Sequence, residues 1–333
     1  MKIAVIGTGK IVSETMAALN ELPQWEIAAI FARPHSKQKG EELAAQFSVP
    51  KVYTDYAELL ADEDIEFVYV ANANSVHYDY TKQALTAQKH VISEKPLAST
   101  VKEAAELAAL AREKGLYLFE AVTPLHMPNF VYVRENLAKI GAIRMVQANY
   151  SQYSSRYDKY LAGSVTPTFD PMMSGGALYD INIYNLNIII ALFGRPADVN
   201  YLAHIGFNGV DTSGVALLRY GGFTAVSVGA KDSASPSFFL IQGEKGYIRV
   251  NGAPNEFREV EFCADGEVKN IALNEYDHRM MHEFIEFADI YRAGNYAAMA
   301  AMLTTSVQVM DAAEQLRKSA GILFAADGKG GNL

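Results

Sequence analysis

Over the first 121 positions, short apolar runs alternate with segments of helical periodicity. "IAVIG", "EIAAIF", "KVYT", "EFVYVA", "HVIS" and "LYLFEA" read as strands. Between them "SKQKGEELAAQF", "HYDYTKQALTAQ" and "TVKEAAELAALAREKG" carry apolar residues at helical spacing. Nearly continuous apolar strands separated by amphipathic helices predict a parallel sheet with both faces covered. After residue 121 the rhythm changes. A helix-like stretch at 126–139 leads into "AIRMVQANYSQY", "ADVNYLAHIGF", "GVALLRY", "FTAVSVGA", "SFFLIQ", "YIRV" and "REVEFC", most of them separated by turn residues. These predict a mostly antiparallel sheet, followed by helix over 277–319. The expected fold is α/β: a Rossmann doubly wound parallel sheet over 1–121, then an α+β domain on an open, mostly antiparallel sheet over 122–325, with a frayed tail over 326–333. Apolar residues alternating in "FTAVSVGA" and "GVALLRY" leave the open face partly apolar, which predicts a homodimer or homotetramer formed through that sheet.

Composition narrows the partners. The chain has 333 residues, half of them hydrophobic, enough for two cores. Its 29 basic and 38 acidic residues give a net charge of -9 and are mixed along the chain, so neither nucleic acid nor an anionic membrane surface is an expected partner. Cys263 is the only cysteine, and no Cys/His cluster has zinc spacing, so no disulfide and no metal are expected. "KIAVIG" is too short for a signal peptide and "IIIALF" too short to span a bilayer, so the expected location is the cytoplasm.

The first strand ends in "VIGTGKIV". Gly7 and Gly9 fit a dinucleotide turn, in which the first glycine makes the bend and the second lets backbone approach a pyrophosphate at the helix N-terminus. Gly7, Thr8, Gly9, Lys10 and Ile11 are therefore candidate cofactor contacts, while Val12 departs from the usual small residue at the third position. At the end of the second strand, where NAD enzymes carry an acid for the ribose, this chain has Ala32, then Arg33, Ser36 and Lys37. That favours NADP, with NAD also admitted; the alternative is that Arg33 and Lys37 are ordinary solvated charges.

"HVISEKPLAS" ends the fifth strand with Glu94, Lys95 and a proline, at the carboxyl edge where doubly wound sheets bind ligands. "GTG", "ANANSVH" and "EKP", in this order, together with "SGGALYDINIYNLN" at 174–187, resemble the Gfo/Idh/MocA family of oxidoreductases. The match is to its tyrosine-containing type, as in glucose-fructose oxidoreductase and dimeric dihydrodiol dehydrogenase. Ala73 stands where the family usually has proline, and Asn182 where it commonly has glycine, which leaves open whether Asn182 faces the pocket.

The resemblance implies a nicotinamide-dependent oxidoreductase acting on a sugar, polyol or cyclic diol, with Lys95, Asp180 and Tyr184 as catalytic residues. Asn72, Asn74 and His77 would lie along the nicotinamide loop. The chemistry is consistent with these residues. Asp180 and Tyr184 stand at i and i+4 on a helix and share a face. Hydride transfer needs a proton partner and a cationic donor at the reacting oxygen, which Tyr184 and Lys95 supply. Other readings stay open: Tyr184 as a core aromatic, Asp180 as a surface acid, and Glu94 as either a ribose ligand or the cap of a local turn. A non-catalytic nucleotide-binding regulator of the same fold is the rival function.

Overall fold

A computed structural model describes residues 1–328, and the chain divides into two compact units. The first comprises Met1–Ala121 and Met280–Val307, the second Val122–Arg279 and Gln308–Leu333.

The first unit is built on β1 (Lys2–Ile6), β2 (Glu26–Phe31), β3 (Lys51–Tyr53), β4 (Phe67–Val70), β5 (His90–Glu94) and β6 (Leu118–Ala121). Their order is β3-β2-β1-β4-β5-β6 and every pairing is parallel, so the expected doubly wound sheet is present. The crossovers are α1 (Lys10–Asn20), α2 (Lys37–Phe47), α3 (Tyr56–Ala61), α4 (His77–Thr86) and α5 (Val101–Lys114). Local chemistry sets their ends. Asp55 accepts from the Ala57 and Glu58 N–H groups at the start of α3, and Thr100 with Glu103 forms a capping box on α5. The apolar strands are buried on both sides, as a parallel sheet requires.

Part of that cover comes from α9 (Met281–Arg292), far along the chain. The Trp25 indole N–H donates to the Phe284 carbonyl at 2.9 Å, Phe119 stacks on Phe287 at 4.5 Å, and Phe67 meets Tyr291 edge-on at 4.9 Å. The helical region expected over 277–319 is two helices, α9 and α10 (Tyr296–Ser319), separated at Gly294, whose φ is +61°.

In the second unit, α6 (Pro128–Asn136) is followed by β7 (Ile143–Ser151), the short α7 (Tyr157–Leu161) and α8 (Ile183–Phe193). Then come β8 (Asp198–Ile205), β9 (Asp211–Arg219), β10 (Thr224–Ala230), β11 (Phe238–Gly243), β12 (Gly246–Asn251), β13 (Val260–Ala264) and β14 (Glu267–Ile271). The eight strands run β14-β13-β12-β11-β7-β10-β9-β8, and only β7 with β10 is parallel, so the sheet is mostly antiparallel as expected. α8 packs on β7 and β10, against buried Ala225 and Ser227. Val226 and Val228 alternate with them and are only half-buried. Pro171–Phe193 is long and apolar enough to cross a bilayer, a length the "IIIALF" run alone does not suggest, but 78% of its most apolar window is buried in the protein.

The C-terminal segment is pinned. Arg317 is fully buried, forms two hydrogen bonds of 2.7 and 2.6 Å to Asp327, and lies over the Phe324 ring. Asp327 belongs to α11 (Ala325–Gly328). Of the tail expected to fray, 326–328 are thus helical, and 329–333 lie outside the described residues.

Candidate active site

In the first unit the β1–α1 turn has an open backbone. Gly7 has φ +120°, and a Cβ there would come within 2.7 Å of Asn72 Oδ1. Gly9 begins α1 with no side-chain cap and open space around its Cβ position, while Lys10 is exposed and Ile11 half-buried beyond Thr8. Uncapped N–H groups at a helix start fit an anionic pyrophosphate. Val12 is fully buried, with Cγ2 3.4 Å from the Cβ position of Gly7, so the larger residue fills the helix–strand contact.

At the end of β2, Ala32 is fully buried, and a Cβ on Gly40 of α2 would lie 2.6 Å from the Ala32 Cβ. A carboxylate at position 32 has no room there. Arg33 is exposed, the Ser36 hydroxyl donates to the Arg33 carbonyl at 3.0 Å, and Lys37 pairs with Glu41 at 3.6 Å. Such exposed charges suit a 2′-phosphate and do nothing for the core.

His77 joins two loops. Its Nδ1 lies 2.8 Å from the Pro96 carbonyl and its Nε2 3.1 Å from the Asn72 carbonyl. Burial pushes its pKa down, against the opposing pull of those two carbonyls. Asn74 starts the single 3₁₀ turn before α4. Ala73 has φ -69°, so the loop keeps the backbone angle of a proline without its ring. Glu94 is buried and accepts the Tyr69 hydroxyl at 2.5 Å, and that hydroxyl also bonds Thr15 at 2.9 Å. Lys95, next in the chain, is half-buried.

In the second unit the glycine pair precedes Asp180 for a steric reason. A Cβ on Gly175 would lie 2.4 Å from the Pro167 carbonyl oxygen, and one on Gly176, at φ +113°, would strike Asp211. The Asp211 carboxylate accepts the Leu178 N–H at 2.7 Å and the Tyr201 hydroxyl at 2.9 Å, while burial pushes its pKa up to about 6.

Residues 178–182 then form a π-helical turn that runs into α8. The i, i+4 spacing therefore spans a π-to-α junction and not a plain α-helix, an irregularity frequent at functional sites. Asp180 is half-buried. Tyr184 is buried with its ring 6.0 Å from that of Tyr150, and burial raises the Tyr150 pKa. Asn182 faces the sheet: it donates to the Ser227 carbonyl, accepts from Ser227 Oγ at 2.5 Å, and sits over Gly229, where a Cβ would approach within 2.6 Å. The missing family glycine on the helix is thus offset by a glycine on β10.

One residue that sequence reasoning overlooked stands beside Asp180. Lys231, just after β10, pairs its ammonium with the Asp180 carboxylate, is buried, and lies 5.3 Å from the centre of the Phe169 ring. In the sequence it is a lysine at a strand end, indistinguishable from a loop charge.

Comparisons with known proteins agree with this architecture. A family profile described as "Oxidoreductase family, NAD-binding Rossmann fold" matches residues 1–122, and one described as "GFO/IDH/MocA C-terminal domain" matches 130–249. The chain is 32% identical to scyllo-inositol 2-dehydrogenase (NADP(+)) IolU of Bacillus subtilis (strain 168), over 98% of this chain and 99% of that protein. It is 26% identical to trans-1,2-dihydrobenzene-1,2-diol dehydrogenase of Mus musculus, again over 98% and 99%. Among solved structures, KijD10, a 3-ketoreductase from Actinomadura kijaniata in complex with NADP, superposes with a TM-score of 0.79 at 25% identity, covering 96% of this chain and 97% of that one.

Proposed function

The chain belongs to the Gfo/Idh/MocA family of oxidoreductases, and on that footing we propose that it interconverts a hydroxyl and a carbonyl on a sugar, polyol or cyclic diol, using NADP in preference to NAD. Bound nicotinamide supplies the hydride donor or acceptor. The chain's own residues do the rest. The Gly7–Gly9 turn receives the pyrophosphate, and Arg33 with Ser36 and Lys37 favours the 2′-phosphate because Ala32 leaves no carboxylate to repel it.

Lys95 holds charge developing on the reacting oxygen, and Tyr184 passes that oxygen's proton. Asp180, paired with the Lys231 ammonium, accepts a neighbouring substrate hydroxyl, so the substrate carries more than one. That ion pair between buried Lys231 and half-buried Asp180, one turn before Tyr184, is the observation that carries the reading. A non-catalytic regulator has no need of a buried cation paired with this acid.

The test is turnover of scyllo-inositol, aldoses, polyols and diols, followed by absorbance of reduced cofactor. Lys95→Ala is expected to lose about 10²- to 10⁴-fold in turnover while still binding NADP. Wild-type turnover in that variant would remove Lys95 from the mechanism.

A second copy of the chain packs on the open face of the eight-stranded sheet, where Phe238, Leu240 and Tyr247 surround a shallow depression beside half-buried Val226 and Val228. Light scattering at micromolar concentration should report a dimer or tetramer, and a monomer would end this part of the reading. The reading puts the enzyme in the cytoplasm as our proposal, a compartment in which the lone described cysteine, Cys263, would stay a free thiol.

A further inference from the structure

Within the second unit, the first residues of β9 reach both partners of the Asp180–Lys231 pair. Asp211 and Thr212 open the strand and are buried. The π turn has no cap from its own segment, and the Asp211 carboxylate supplies one from 33 positions away: a single oxygen accepts the Leu178 N–H at 2.7 Å and the Tyr201 hydroxyl at 2.9 Å. The other oxygen stands where a Cβ on Gly176 would have to go. Asp211 thus fixes the backbone two residues before Asp180. The next residue does the same for the cation. The Thr212 carbonyl accepts the Lys231 N–H at 2.8 Å, one bond beyond the Ala230–Ser213 pair that ends the β9–β10 ladder. The hydroxyls of Thr212 and Ser213 donate at 2.7 and 2.8 Å to Asp232, the residue after Lys231.

We propose that Asp211 and Thr212 are positioning residues for this pair: one strand start sets where the Asp180 carboxylate and the Lys231 ammonium stand relative to each other, and with them the turn that carries Tyr184. Capping alone does not call for this arrangement. A serine or threonine beside the turn would cap it without the cost of burying a carboxyl. Instead the acid and the cation, 51 positions apart in the chain, are both tied to consecutive residues of one strand, which is stiffer than the loop ends on which each would otherwise depend. That substrate meets this pair rests on the function proposed above; that β9 fixes the geometry of the pair does not.

The experiment uses the full chain as wild type, Asp211→Ala, Asp211→Asn and Thr212→Val. Amide NMR shifts of the deuterated, ¹⁵N-labelled protein are read first, without substrate. Asp211→Ala is expected to move the signals of Asp180, Tyr184 and Lys231, and Thr212→Val, which takes the hydroxyl from Asp232 and His204, to move that of Asp180. Changes confined to the substituted residue, its chain neighbours and its direct hydrogen-bond partners would overturn the proposal. Steady-state kinetics comes second. Asp211→Ala is expected to lose about 100-fold in kcat/KM for the hydroxyl substrate; Asp211→Asn, which returns an acceptor oxygen to Leu178 and Tyr201, should recover to within about tenfold of wild type, with Kd for NADP held within about twofold throughout. A residue that only stabilises the fold lowers the urea midpoint and leaves KM and kcat of the folded protein at wild-type values, a result that would also sink the proposal. If Asp211→Ala does not fold, Asp211→Asn and Thr212→Val carry both readouts. Absence of turnover by the wild type would remove the function proposed above and leave the shift test standing.

Discussion

Two acids, one in each unit, sit under different conditions. Asp180, on the π turn of the second unit, is half-buried and in contact with the Lys231 ammonium. Glu120, on β6 of the first unit, is more deeply buried, with the Leu97 N–H on one oxygen and no hydrogen bond on the other. The difference teaches that burial alone does not fix what a carboxyl does. A cation in contact favours the ionised carboxylate, whereas hydrogen bonds alone leave it able to titrate.

The largest break in this comparison comes from removing the cation. Lys231→Met removes the Lys231 ammonium from beside Asp180 and is expected to cost roughly 3 kcal/mol of stability, discounted toward 2 because Asp180 is partly exposed. It should also raise KM for polyols far more than KM for NADP. Urea unfolding and steady-state kinetics check both, and an unchanged KM for polyols would detach Asp180 from substrate.

The next effect sharpens the other side. Below about pH 7 the folded protein keeps a proton on Glu120 that the unfolded chain, with a carboxyl of ordinary pKa 4.5, has released. Stability carried by this group therefore falls as pH rises from about 4.5 to about 7, then levels off. Glu120→Gln should abolish that slope, gaining on the wild type by up to roughly 3 kcal/mol across the window. His90 runs the opposite way. Burial holds it neutral, with a pKa near 4, so its contribution rises with pH over the interval up to its ordinary 6.5. It is common to both proteins and cancels in the difference. Melting temperatures at about pH 5 and about pH 8 decide the matter; parallel curves for the two proteins would refute the assignment.

The smallest effect belongs to an exposed cation. Arg33→Ala is expected to weaken NADP binding by about 1 kcal/mol and leave NAD nearly untouched, since a solvent-facing charge is screened. Fluorescence titration with each cofactor reads this, and equal losses would mean that Arg33 does not meet the 2′-phosphate.

The doubly wound sheet was legible because its strands are apolar on both faces and its helices are not, and the open sheet because its strands alternate. What escaped the sequence lay in spacing and distance. A π turn and an α turn both place residues 180 and 184 on one side, so the pattern could not tell them apart. Lys231 looked like any lysine after a strand, and its partner is 51 positions away. Ala32 was readable as a missing acid but not as a buried contact of Gly40, which makes an Ala32→Asp exchange a packing change as well as a charge change. Glu120 did leave a signal, a lone acid inside "LYLFEA", where a parallel sheet has no solvent to offer it.

The aromatic contacts of α9 have a consequence for the order in which the protein is made. Trp25, Phe67 and Phe119 leave the ribosome early, yet Phe284, Phe287 and Tyr291, which shield them, are translated more than 150 residues later. At the elongation rates of cells, roughly 5–20 residues per second, the nascent sheet waits many seconds with that aromatic surface uncovered. During that interval the uncovered aromatic face is open to contact with other chains, the kind of exposure that makes partly folded chains prone to aggregate.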